Sequence, residues 1–285
     1  MIILIIIFRS TAASGGPAPA PPLRDDLATT DLLAATPSHT LRCANMRACA
    51  ALSLLVAVGT ASAASAAPAQ PWLDRTLPPS QRAAMLIAAM TPKEKLVLLQ
   101  GASGPGIGNT AAIERLGVPE IHLEDGPNGV ADWQVNVTTW PSSMTMAASW
   151  DVDLLRQYGA ACGAEQRGKG MQVMLGPGVN LARVPVGGRN FEYMGEDPHL
   201  ASVLAAAETV GIQSEGVVAC AKHWVDNNQE GPGHNGRLST SSVVSDRTNF
   251  ELYYQPFEAA IKAGVGSAMC SYNLVSSLLC VSSSS

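Results

Sequence analysis

Charge is scarce in this chain: Asp, Glu, Lys and Arg together make up 14% of its 285 residues, and aromatic residues only 5%. The 18 Lys and Arg residues are scattered rather than clustered. A nucleic-acid footprint needs a basic patch, so that class of partner is excluded. The apolar run over residues 1–8 is far shorter than the roughly 20 residues that cross a bilayer, so no membrane role is expected. No H-x-x-x-H or C-x-x-C spacing occurs, which removes the common metal-ligand patterns. His122, His199 and His234 are therefore expected to be packed or solvated. Met144, Met146, Met171 and Met174 are read as packing residues. No G-x-G-x-x-G opens a helix after the first strand, which weakens a dinucleotide reading. No short repeat is visible, and no cofactor is implied. What the chain has is apolar residues, 47% of the total, with alanine and 26 glycines prominent, and a mild net charge of −5. That length and apolar content build a large core, and the mildly acidic surface fits an uncharged, water-soluble partner.

The first 70 residues do not read as fold material. Residues 9–45 are rich in Ala, Pro, Ser and Thr without hydrophobic period, a composition expected to be disordered. Met46-Arg47 then precedes an apolar stretch over 48–58 and small residues that include Ala61-Ser62-Ala63 and Ala64-Ser65-Ala66. A positive start, a short apolar core and an A-x-A site form a secretory signal. The expectation is that translation begins at Met46, with residues 1–45 a gene-model extension, 46–66 a signal peptide and 67–285 the folded part of a secreted protein. The plainer alternative is a low-complexity, Ala-rich tail.

Secretion allows disulfides. Cys43 and Cys49 fall in the removed part, leaving Cys162, Cys220, Cys270 and Cys280. Cys270 and Cys280 are close enough in sequence to pair across a short loop, although spacing alone does not settle connectivity. Asn136-Val137-Thr138 is an N-glycosylation sequon, and its use at Asn136 requires a surface loop.

Beyond residue 70 strands and helices alternate. Helices are expected over 79–90 and 92–99, each with proline in its first turn. A glycine-rich loop follows over 100–109. Strands are expected over 121–124, 173–175, 217–221 and 266–270, and helices over 150–168, 199–214 and 247–263. Alternation of this kind means βα units and a parallel sheet. Polar residues stand just past the strands: Asp125, Asn180, Lys222, His223 and Tyr272. Both a (β/α)₈ barrel and a doubly wound sheet place ligands at that edge, and pattern alone leaves the two open. The serine-rich end, residues 276–285, follows a buried-type strand where another helix is expected.

Several motifs occur in a fixed order over about residues 72–275. They include Glu124-Asp125-Gly126-Pro127-Asn128-Gly129, Leu175-Gly176-Pro177-Gly178-Val179-Asn180, Gly188-Arg189-Asn190-Phe191-Glu192, Gly195-Glu196-Asp197-Pro198, Lys222-His223-Trp224, Asn227-Asn228-Gln229-Glu230 and Met269-Cys270-Ser271-Tyr272-Asn273. With these motifs the chain resembles the family 3 glycoside hydrolases of the β-glucosidase type. The resemblance implies a (β/α)₈ TIM-like barrel, incomplete at its C-terminus. It implies retaining, exo-acting hydrolysis of a small β-glycoside or oligosaccharide, with β-xylosidase activity or a non-catalytic sugar-binding remnant as alternatives. It also implies roles for single residues. Asp125 resembles the aspartate that accepts hydroxyls of the non-reducing sugar. Arg189, Lys222 and His223 look like the trio that holds its other hydroxyls, and Tyr272 like the tyrosine beside the nucleophile. Pro232-Gly233-His234 resembles a piece of the family's N-acetylglucosaminidase motif, but it stands too far from Lys222-His223 to match it.

The chemistry suits these residue types. A sugar offers a fan of hydroxyls, and a carboxylate facing Arg and Lys fixes one ring orientation through charge-assisted bonds. Without the resemblance, Asp125 reads as a turn residue and Arg189 as a surface partner of Glu192 or Glu196. Retaining hydrolysis needs two carboxyls about 5–5.5 Å apart. The resemblance places the nucleophile in a Ser-Asp-Trp motif after Tyr272 and the acid/base later still. No such motif follows Tyr272 here, so the expectation is a β-glucosidase by family that is inactive as this fragment, because its nucleophile and acid/base are absent.

Overall fold

The computed structural model describes residues 5–7, 70–231 and 236–278. The expected signal peptide, residues 46–66, and most of the segment read as lying outside the fold are outside these residues, as are His234 and Cys280. Described strands are β1 (Ile5–Ile7), β2 (Gly108–Thr110), β3 (Ile121–Asp125), β4 (Val173–Leu175), β5 (Val218–Trp224), β6 (Ser241–Ser242), β7 (Ser267–Cys270) and β8 (Leu274–Val275). Helices are α1 (Pro79–Ala89), α2 (Pro92–Val97), α3 (Ser143–Ala147), α4 (Val152–Gly168), α5 (Pro198–Ser214), α6 (Asp246–Thr248) and α7 (Gln255–Lys262).

The main sheet runs β1-β7-β5-β4-β3-β2. Its centre is four parallel strands, β3, β4, β5 and β7, taken in chain order. Helices α4 and α5 join the first three, and the α6–α7 segment leads into β7. This is half of an α/β barrel, so the expected incomplete barrel is what the chain forms. Its two edges differ from expectation. The glycine-rich loop contains β2, which pairs antiparallel with β3. Backbone of Ile5–Ile7, from the segment read as lying outside the fold, pairs antiparallel with β7. It covers backbone groups that an exposed parallel edge presents to other chains.

Local sequence explains most boundaries. Thr91 and Glu94 form a capping box that starts α2. Asp151 and Asp197 accept from Leu154 and Leu200 backbone N–H groups and cap α4 and α5. The expected helix over 247–263 is divided: α6 passes into a π turn (Asn249–Tyr253) before α7 starts with Pro256 in its first turn. Proline supplies no N–H, so it is tolerated at a helix start and not in its interior. Strand β5 runs on past its expected end and takes in Lys222 and His223.

The outer core lies where α4, α5 and α7 cover the sheet, around Leu155, Tyr158, Cys162, Met174, Leu204, Ile212, Phe257 and Ala260. Helices α4 and α5 approach closely because Gly159 lacks a side chain: a Cβ there would come within 2.5 Å of the Glu208 carbonyl oxygen. On the sheet's other face Leu123, Leu175, Cys220 and Met269 pack together, one from each parallel strand. Side chains two apart on a strand share a face. Asp125 therefore follows Leu123, and Lys222 follows Cys220, onto this inner face at the carboxyl edge of the sheet.

Candidate active site

At that edge the Lys222 ammonium donates to Oδ1 of Asp125 at 2.6 Å. Its side chain is 1% exposed and that of Asp125 is 35% exposed. A second carboxylate, Glu192, stands 3.8 Å from the same ammonium. Parallel pairing of β3 with β4 and β4 with β5 sets the two strand ends side by side, which brings residues 97 positions apart into one bond.

Arg189 and Glu192 arrive on the segment between β4 and α5. The segment lies against β4's outgoing loop because Gly178 has no side chain; a Cβ there would meet the Glu192 carbonyl oxygen at 2.6 Å. Arg189 Nη1 lies 2.8 Å from His223 Nε2. A guanidinium only donates, so Nε2 is the acceptor and the ring proton sits on Nδ1, an assignment made from the hydrogen-bond network. Burial, then the positive charges of Lys222, Arg189 and Arg237, hold His223 well below its usual pKa. The ring is neutral. Its backbone is fixed by Asn180, whose amide accepts from His223 N–H at 2.7 Å and donates to its carbonyl at 3.0 Å.

Arg189 also bonds Glu230 through Nε at 3.1 Å and approaches Glu192 at 3.6 Å. The plain expectation of an Arg189–Glu192 pair is thus met in position, but the pair is half-buried rather than on the surface. Glu230 reaches Arg237 at 3.5 Å, and the Arg237 guanidinium carbon lies 5.0 Å from the centre of the Tyr272 ring. Asp125, Lys222, Arg189 and His223 are brought together directly. Tyr272 joins them through Arg237, Glu230 and Arg189. The alternation pattern places Lys222 and His223 just past a strand; they lie within β5 instead.

Sequence reading missed the carboxylates that organise the cations. Glu192 reads locally only as a surface partner of Arg189, not of Lys222, and Glu230 stands in a motif with nothing local to mark it as the partner of Arg189 and Arg237. Glu124 and Asp132 were missed as well. Glu124 is wholly buried. It accepts from the Asp125 N–H at 2.9 Å and from the Gln134 amide at 3.5 Å. Burial, then the neighbouring Asp132 and Asp125 carboxylates, pushes it up to about 7. Asp132 is raised too, by burial and then by Asp125. An acidic pair beside a turn carries no distinctive spacing, and only the tertiary contact reveals it.

Asn136 is exposed in the β3–α3 loop, the setting its sequon requires. Cys162 and Cys220 are buried free thiols, and the partner expected for Cys270, Cys280, lies outside the described residues. Among the described residues no group of three or more His, Cys, Asp and Glu could hold a metal ion, and no helix is long and apolar enough to cross a membrane.

Comparison with known proteins carries the geometry further. Residues 106–284 match the glycosyl hydrolase family 3 N terminal domain. The chain is 41% identical over 207 residues to thermostable beta-glucosidase B of Acetivibrio thermocellus, covering 68% of this chain and 26% of that one. It is 40% identical over 220 residues to probable beta-glucosidase F of Aspergillus fumigatus, covering 75% and 25%. Among solved structures, DesR, a beta-glucosidase from Streptomyces venezuelae in complex with D-glucose, superposes with a TM-score of 0.64 at 38% identity, covering 68% of this chain and 25% of that one. Beta-glucosidase 3B from Thermotoga neapolitana in complex with glucose gives 0.63 at 34% identity, covering 69% and 30%. The chain spans about a quarter of the length of the curated relatives it matches. With its half-barrel, its ordered motifs and these likenesses, the chain belongs to glycosyl hydrolase family 3 and carries sequence of its N-terminal domain.

Proposed function

We propose that this chain is the sugar-holding part of a secreted, retaining β-glucosidase, and that by itself it binds β-glucosides without hydrolysing them. The observation that carries the reading is the 2.6 Å bond between Lys222 and Asp125, set beside Arg189 and His223 at the barrel's carboxyl edge. This edge is where barrel enzymes bind their substrates. Asp125 is about a third exposed and has lone pairs left for hydroxyls, while Lys222 has further N–H groups to donate. His223 offers a neutral ring, and Arg189 a second cation. The glucose complexes of the related structures support a glucose-configured ligand.

The carboxylates near the site support binding without turnover. Asp125 is held by Lys222, Glu192 lies between Lys222 and Arg189, and Glu230 is held by Arg189 and Arg237. Glu124 is sealed from solvent. None is placed as a free nucleophile with an acid/base partner. The test is calorimetric titration of the chain with methyl β-glucoside, alongside release of p-nitrophenol from p-nitrophenyl β-glucoside. Binding that Asp125→Ala abolishes, with no p-nitrophenol released, is expected. Turnover, or binding indifferent to Asp125, would refute the reading.

A further inference from the structure

A second polar cavity, of about 440 Å³, lies where the segment after β5 meets β6, α6 and the π turn. No side chain placed in the sugar site is among its described lining residues. Asp226 lines it and is 3% exposed. Both of its carboxylate oxygens are buried without a hydrogen-bond partner among the described residues. A buried carboxylate ordinarily has a cation or several donors beside it, because its charge loses much on leaving water. Burial lifts the Asp226 pKa to about 6, and the influence opposing that lift comes from the Asn249 side chain, not from a cation. The backbone fixes where this carboxylate sits. Asp226 is left-handed, with φ of 63°, and its carbonyl accepts from the Asn228 N–H at 2.9 Å and the Ser242 hydroxyl at 3.0 Å. Arg183, exposed on the segment after β4, lines the same cavity. Arg183 and Asp226 act with opposite sign on the Tyr253 phenol, which the π turn brings to the cavity. Neither charge is in an ion pair among the described residues.

We propose that this cavity is a second binding site, for a free polar α-amino acid, with the ligand's ammonium against Asp226 and its carboxylate against Arg183. Two opposite charges in one cavity, each without a partner, suit a ligand that carries both. A neutral sugar would leave the Asp226 charge uncompensated. A lone metal ion fits no better, since no group of three or more His, Cys, Asp and Glu among the described residues could hold one. Both ionic contacts would be charge-assisted hydrogen bonds, roughly twice as strong as neutral ones. Ser241, Ser242 and Thr248 add hydroxyl oxygens to the lining, which favours a polar side chain on the ligand. The volume lies within the range of small-molecule sites, about 300–1,000 Å³.

Calorimetric titration of the chain with glutamine at pH 7.5, where Asp226 is ionised, tests the site. One glutamine should bind per chain. Asp226→Asn and Arg183→Ala should each weaken that binding about 10-fold or more, the effect of losing one charged hydrogen bond. Excess methyl β-glucoside should leave the glutamine affinity unchanged, because the two ligands occupy different places. Asp226→Asn removes an uncompensated buried charge and Arg183→Ala trims an exposed side chain, so neither should lower the melting temperature, and thermal melts of both variants check this. No heat of binding from glutamine, affinity that survives either substitution, or displacement of glutamine by methyl β-glucoside would overturn the second site. None of these results bears on whether methyl β-glucoside binds at Asp125 and Lys222, so the two readings stand or fall separately.

Discussion

The Lys222 ammonium and the Asp125 carboxylate meet at 2.6 Å, but they are buried unequally: the cation has almost no contact with water and the anion keeps about a third of its surface there. The two ends of the bond therefore carry different penalties when the other is lost. Asp125→Ala strands a buried ammonium, with Glu192 at 3.8 Å left to balance part of its charge. We expect a loss of about 2–3 kcal/mol, below the roughly 3–5 for a fully buried pair because Glu192 remains. Lys222→Met leaves a carboxylate that water can solvate and should cost about 1 kcal/mol. Urea denaturation of both variants measures the asymmetry, and equal losses would contradict it.

Glu124 gives the fold a pH dependence. Its pKa is raised to about 7 in the folded state, against about 4.3 when unfolded. Between those values the folded chain binds the extra proton, so this group's stabilisation is full below about pH 4.3 and is lost as pH rises toward 7. The slope is about 1.4 kcal/mol per pH unit at most. Glu124→Gln keeps the shape and the neutral state. Stability profiles of the two proteins between pH 4.5 and 7 should converge at the acid end and separate toward neutrality.

Glu208, on α5, is fully buried and has no hydrogen-bond partner for either oxygen among the described residues. Burial pushes it up to about 8. The sign is the same as for Glu124, with the window extended from about pH 4.3 to about 8. Glu208→Gln should be more stable than the unsubstituted chain at pH 8, by on the order of 5 kcal/mol. Thermal melts at pH 5 and pH 8 test this: the gain should be small at pH 5 and large at pH 8.

His223 should remain neutral, with its proton on Nδ1, through the range where an ordinary histidine titrates. Imidazole nitrogen chemical shifts followed by NMR from pH 7.5 to 5.5 should stay those of the neutral Nδ1–H form. Arg189→Ala removes the donor to Nε2 and one of the neighbouring positive charges, so the ring's pKa should move up. A ring that becomes doubly protonated near pH 6.5 in the unsubstituted chain would contradict the assignment.

The order of residues along the chain made legible the alternation of strands and helices, most helix starts, and the placement of polar residues at one sheet edge. It did so because these depend on local signals: Asp151 and Asp197 cap the helices that follow them, and Val173–Leu175 is a short apolar run between turn residues. Motif order carried Asp125, Arg189, Lys222, His223 and Tyr272 into one candidate site. Tertiary structure decided what those residues do to one another. Only the parallel register of β3, β4 and β5 brings Lys222 to Asp125, and only the path of the 189–192 segment over Gly178 delivers Arg189 to His223. The same holds for Glu192 and Glu230, which balance the cations, and for Glu124 and Asp132, whose raised pKa values come from burial. Periodicity along a chain reports which face of each element is buried. Charge pairing between elements depends on where their ends converge, and that is fixed only when the sheet is assembled.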